Sequence, residues 1–129
     1  DISSALEFFS NIISKKSIAF ILSDFVSKDY NKALSVSSKK HDITGIRIFD
    51  KFEEEIPNLG FIPMIDQETN ETRFIDTSSK FIRESFKTKS FERRGNFETI
   101  FKKNGSGTIN CRTDQGYVKL LLGYFKNRV

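Results

Sequence analysis

The chain predicts an α/β fold, an open and mostly parallel sheet with helices on both faces, and three observations point there. Two apolar runs of strand length, SIAFILS at 17–23 and ITGIRIF at 43–49, are separated by one helix-length polar segment. Strand, helix and strand with connections this short imply a right-handed parallel crossover. Amphipathic segments at both ends of the chain supply covering helices, and a compact pair of short strands, FIPMI and TRFID, predicts an edge β-hairpin near 61–76.

Each element follows from local pattern. In residues 1–14, Ile2, Ala5, Leu6, Phe9, Ile12 and Ile13 recur at helical spacing, with Asp1 or Ser3 able to cap the first turn. SIAFILS is continuously apolar, as expected of a central strand whose two faces are both covered. Ser27 or Asp29 can cap a second helix running to Lys40, with Tyr30, Ala33, Leu34 and Ser37 on one side. ITGIRIF then ends at Asp50 much as the first strand ends at Asp24. FEEEIPNLG reads as a loop around Pro57 and Gly60. Pro63 lacks an N–H and places the hairpin at a sheet rim. Residues 78–103 carry Phe81, Ile82, Phe86, Phe97, Ile100 and Phe101 in partial helical register, with Gly95 as a candidate interruption. GSG at 105–107 breaks that segment, TINCRT forms a third parallel strand, and YVKLLLGYFKNR closes the chain as a helix. The order is α-β-α-β-(ββ)-α-β-α, within one domain.

Composition bounds the function. Only 37% of the 129 residues are hydrophobic, but fourteen are Phe, so large rings supply the burial that scarce aliphatic side chains do not. Lys plus Arg number 21 against 17 acidic residues, a formal charge of +4. The basic pairs Lys15-Lys16, Lys39-Lys40, Arg93-Arg94 and Lys102-Lys103 are spread along the chain at expected helix ends, where they complement helix dipoles. No nucleic-acid partner is predicted from such scattering. The single cysteine, Cys111, excludes an internal disulfide, and on a strand it reads as a buried, inert thiol. It fits a reducing compartment, and the expected location is cytoplasmic. No apolar run of membrane-spanning length occurs, so no membrane contact is expected of this segment.

The candidate chemistry centres on carboxylates. Asp24 and Asp50 both follow strands, and parallel α/β sheets bind ligands beyond the carboxyl ends of their strands. Carboxylates gathered there suit Mg²⁺, although Asp also ends strands and caps helices without binding anything. A Mg²⁺-dependent enzyme of phosphate chemistry using Asp24 and Asp50 is therefore one hypothesis. It lacks a companion nucleophile or a Gly-rich phosphate cradle in the sequence. His41, the only histidine, precedes Asp42 at an expected helix C-terminus, where a structural role is favoured. Glu53, Glu54 and Glu55 read as a solvated acidic loop.

Taken together, Ser23-Asp24-Phe25, Lys40-His41-Asp42, Asp50, Glu55-Ile56-Pro57, Gly60, Asp66-x-Glu68-Thr69, Asp76-Thr77 and Tyr124-Phe125-x-x-Arg128 resemble the C-terminal half of the bacterial family catalogued as domain of unknown function 58. The resemblance implies a von Willebrand factor A-like, Rossmann-like three-layer fold. In the intact domain it implies a metal-ion-dependent adhesion site built from an Asp-x-Ser-x-Ser loop, a Thr loop and a third-loop Asp. Asp24 matches that third-loop position. The Asp-x-Ser-x-Ser segment is not among these residues, so the expectation is a partial site with no cofactor in this chain and Mg²⁺ in the intact domain.

The family resemblance implies a non-enzymatic protein-interaction module working beside MoxR-type AAA+ ATPases in assembly or chaperone-like systems. It assigns no reaction. His41, Asp42, Asp66, Glu68 and Thr69 are expected to hold strand ends and turns through local hydrogen bonds. A chain that is half of a larger sheet is also expected to uncover a strand edge and apolar helix faces that invite self-association or swapping, so that either a dimer or exposed apolar patches are expected.

Overall fold

The structure is a computed structural model and describes residues 1–27, 29–66 and 69–128. It resolves into two compact units, one formed by residues 1–49 and 93 onward, the other by Asp50–Glu92.

The first unit is built on a parallel three-stranded sheet. Its elements are α1 (Ile2–Ile12), β1 (Ile18–Ser23), α2 (Asn31–Lys40), β2 (Asp42–Phe49), the second part of α4 (Lys80–Lys103), β5 (Gly107–Arg112) and α5 (Tyr117–Arg128). The strand order is β1-β2-β5, with Ile18 beside Asp42, Ser23 beside Arg47, and Thr44 beside Gly107. Asp1 caps α1 through a carboxylate that accepts the Ser3 N–H.

α1, α2 and α4 contribute to one aromatic core. Leu6, Phe25, Tyr30, Ala33, Leu34, Ile43, Phe97 and Phe101 form a single buried cluster. Gly45, in the middle of β2, is what lets the rings close on the sheet. A Cβ there would lie 2.6 Å from Phe101 Cε1 and 2.7 Å from Phe97 Cε2, so any side chain would displace both rings. Thr44, one residue earlier and therefore on the opposite face, meets α5 instead, its hydroxyl 2.8 Å from the Tyr124 hydroxyl.

Several expectations are corrected here. β2, not β1, is the central strand; β1 lies at the edge of the sheet. A run that is apolar on both sides says nothing about which strands flank it, and Ile18, Phe20 and Leu22 remain exposed. α2 begins at Asn31 with Tyr30 at its cap position and no side-chain cap bond, so neither Ser27 nor Asp29 caps it. Ser27 Oγ instead accepts the Asp29 N–H in the preceding turn. Gly95 does not interrupt α4, which is continuous. Cys111 is half-buried, and its thiol is free.

The second unit contains α3 (Lys51–Glu54), β3 (Phe61–Ile65), β4 (Thr72–Asp76) and the first part of α4. β3 and β4 pair antiparallel, Phe61 opposite Asp76 and Ile65 opposite Thr72, as a two-stranded sheet of their own. FEEEIPNLG is not loop throughout: its start is the short helix α3. Thr77, fully buried, closes the unit. Its hydroxyl accepts the Leu59 N–H at 2.8 Å and donates to the Gly60 carbonyl at 2.6 Å, while Arg83 donates to the Thr77 carbonyl at 2.7 Å. Gly60 takes φ +69°, a conformation that glycine adopts without a Cβ penalty.

Candidate functional site

Ser23-Asp24-Phe25 ends β1 with two successive side-chain turns. Ser23 Oγ accepts the Phe25 N–H at 3.1 Å, and Asp24 Oδ1 accepts the Val26 N–H at 3.3 Å. Between them Phe25 is held at φ +53°, a left-handed conformation costing about 1–2 kcal/mol for an L residue. The compensation is packing: Phe25 is 3% exposed and stacks on Phe97 with ring centroids 4.3 Å apart, with Tyr30 and Phe101 edge-on at 5.7 and 5.4 Å. The turn drives the ring inward while the Asp24 carboxylate stays exposed at the C-terminal rim of the sheet. Sequence alone singled out Asp24 and missed that its neighbour is a core anchor.

His41 and Asp42 lie at the other end. Asp42 pairs with Ile18 at the start of β1, whereas Ser23 pairs with Arg47, so about 17 Å of strand separates the two sites. His41 is the C-cap residue of α2 and is 3% exposed. Its Nδ1 accepts the Ser17 N–H at 3.1 Å, and its ring packs 4.5 Å from that of Phe9. The proton of the neutral ring therefore belongs on Nε2, and that buried nitrogen has no hydrogen-bond partner among the described residues. Asp42 receives Arg128 Nη2 on both carboxylate oxygens, at 2.8 and 2.7 Å. That bond, followed by the nearby Tyr124, raises the Arg128 pKa further above its high ordinary value. The guanidinium also sits 5.5 Å above the Tyr124 ring.

The remaining candidates belong to the second unit. Asp50 caps α3, its Oδ1 accepting the Phe52 N–H at 2.8 Å. Asp66 Oδ1 accepts the Thr69 N–H at 3.3 Å within the β3–β4 turn, and Asn70 completes that turn at φ +60°. Glu68 lies outside the described residues. For a divalent ion Asp24 offers one carboxylate, already engaged by a backbone N–H. Among the described residues no three His, Cys, Asp or Glu side chains are grouped to hold a metal. These residues alone do not fit the Mg²⁺ site that the family resemblance implies.

Two features escaped sequence inspection because they join distant segments. Arg128 reaches Asp42 across 86 positions. Lys16, Lys39 and Lys40 line one open cleft of about 530 Å³ with Ser17, Ile18, Ser38, His41, Asp42 and Gly105.

A parallel sheet with helices on both faces and a turn-presented carboxylate after its edge strand defines an α/β protein of the doubly covered class. The chain belongs to the family described as Protein of unknown function DUF58, whose model it matches over residues 1–96. It is similar to an uncharacterized protein of Mycobacterium avium, MAV169, at 22% identity over 129 residues, 99% of this chain and 76% of the relative. No solved structure matches it. Among the described residues no helix is long and apolar enough to cross a membrane.

Proposed function

We propose that this chain is a non-enzymatic protein-interaction module that takes its partner along the open edge of β1. One observation carries the proposal: the edge strand is uncharged and free of proline, and it exposes Ile18, Phe20 and Leu22 at 67%, 41% and 61%. Edge strands of monomeric proteins are usually blunted by charge, proline or a bulge, and contiguous exposed apolar surface marks interaction sites. The strip extends onto α5, where Phe125 meets Phe20 edge-on at 5.8 Å and Leu122 is exposed. Strand addition would supply main-chain hydrogen bonds for affinity, and the alternate side chains would supply specificity.

A MoxR-type AAA+ ATPase is the partner class that the family resemblance supports. Binding of the purified ATPase to this chain tests the proposal, with Leu22→Lys as the probe because Leu22 is exposed and its loss leaves the core intact. Wild type is expected to bind and Leu22→Lys to bind roughly tenfold more weakly, the loss expected when a charge opposes a desolvated apolar contact. Equal binding by both would overturn the edge as the docking surface. Light scattering on the same samples identifies a second copy as the occupant if wild type is dimeric and Leu22→Lys monomeric.

A further inference from the structure

The amino ends of the strands carry a charge pattern that is invisible along the chain. Lys15 and Lys16 lead into β1, Lys39 and Lys40 into β2, and Lys102 and Lys103 end α4 just before β5. Because all three strands are parallel, these pairs gather at one end of the sheet. Lys126 and Arg128 join them at the end of α5, whose position there is fixed by the bonds from Arg128 to Asp42 and from Tyr124 to Thr44. Arg128 is neutralised by Asp42, the one carboxylate among the described residues that line the cleft. Among the described residues Lys16, Lys39 and Lys40 form no ion pair.

The geometry points to a binding site for a phosphate-bearing anion in the cleft of Lys16, Ser17, Ser38, Lys39 and Lys40. The C-terminal dipole of α2 opposes an anion there, but by only about half a charge, against three ammonium groups that form no ion pair among the described residues. A single carboxylate would leave most of that charge unbalanced. A phosphate or diphosphate supplies two or more charges and several acceptor oxygens, which flexible lysines bind as point charges, while the Ser17 and Ser38 hydroxyls already donate to the Lys15 and Ser35 carbonyls. A cleft of about 530 Å³ has room for such a group with its water. His41 in the wall adds a second sign of incompleteness, a buried Nε2 with no acceptor among the described residues. A free phosphate and a lipid headgroup share this chemistry.

Calorimetric titration with sodium pyrophosphate at low ionic strength, beside co-sedimentation with phosphatidylcholine vesicles with and without phosphatidylglycerol, tests the site. One variant reverses the cleft (Lys16→Glu, Lys39→Glu, Lys40→Glu). The other makes the same change in net charge at exposed positions outside it (Lys32→Glu, Lys87→Glu, Lys119→Glu). The cleft variant is expected to lose at least roughly tenfold in affinity while the second loses little. Binding of pyrophosphate alone identifies a free anion, and binding of phosphatidylglycerol vesicles alone identifies a headgroup; either supports the site. Equal losses in the two variants would show attraction to net charge only and overturn it, as would no binding in both arms. Far-ultraviolet circular dichroism of both variants shows whether a loss reflects the cleft or an unfolded chain, and an unfolded cleft variant is replaced by Lys39→Glu alone.

Discussion

The two faces of the first unit's sheet are held in different ways. On one, Phe97 and Phe101 of α4 press over Gly45, and Phe25, Tyr30 and Leu34 lock around them, all but fully buried. On the other, α5 has no buried residue and is pinned by a hydroxyl pair, a bidentate ion pair and one edge-on aromatic contact. The first face is a continuous aromatic core; the second buries Thr44 and Ile109 on the sheet, but the helix lying over it buries no residue of its own. Apolar residues supply both, so their chemistry does not decide which becomes interior. What decides it is whether a neighbour covers them, and among the described residues no strand pairs with the outer edge of β1.

The contrast breaks most sharply under truncation of matched aromatics. Phe101→Ala is expected to cost about 3–5 kcal/mol, since a fully buried ring leaves both a transfer loss and a cavity. Phe20→Ala, on the 41% exposed side, is expected to cost less than about 1 kcal/mol. Urea denaturation of both variants measures the pair. Similar losses would mean that the second face is a core as well, and the edge-docking proposal would then lose its surface.

Alkaline pH offers a milder probe confined to the core face. Burial raises the Tyr30 pKa from 10.0 to about 12. Between these values the unfolded chain releases a phenol proton that the folded chain keeps. The associated stability is therefore complete below pH 10 and is lost as pH rises through about 12. The loss is on the order of 3 kcal/mol, from about 1.4 kcal/mol for each pH unit between these values. The slope of stability against pH in this window is expected to flatten in Tyr30→Phe. An unchanged slope would assign it to lysines instead.

Local pattern made much of this legible. FIPMI and TRFID match β3 and β4 residue for residue, and the two apolar runs match β1 and β2 to within one residue, because strand propensity and turn residues act over a few positions. Family membership was also readable, from residues such as Ser23-Asp24-Phe25 and Asp76-Thr77. What could not be read was non-local. Nothing in SIAFILS shows that it has a partner strand on one side only. The lysine pairs looked scattered because only parallel pairing folds their separate positions onto one end. Asp42 looked like a strand-end carboxylate until Arg128 arrived from the other end of the chain. Phe25 was hidden for a different reason: no apolar period marks a residue whose ring reaches the core from a left-handed turn.

The smallest expected effect is also the most local test of the second face. Arg128→Gln removes the bidentate bond to Asp42 but leaves Tyr124 bonded to Thr44. Both partners of the ion pair are more than a third exposed on their side chains, or nearly so, and solvent screening holds such pairs to about 0.2–1 kcal/mol. Global stability should hardly move. α5, however, has little else to hold it, so its amide hydrogens should exchange faster in Arg128→Gln while those of α2, packed in the aromatic core, keep their wild-type protection. Raised salt should imitate the substitution by screening the same pair. If α2 and α5 were instead to exchange together in both proteins, α5 would open only with the whole unit, and a tethered helix would be the wrong description of this face.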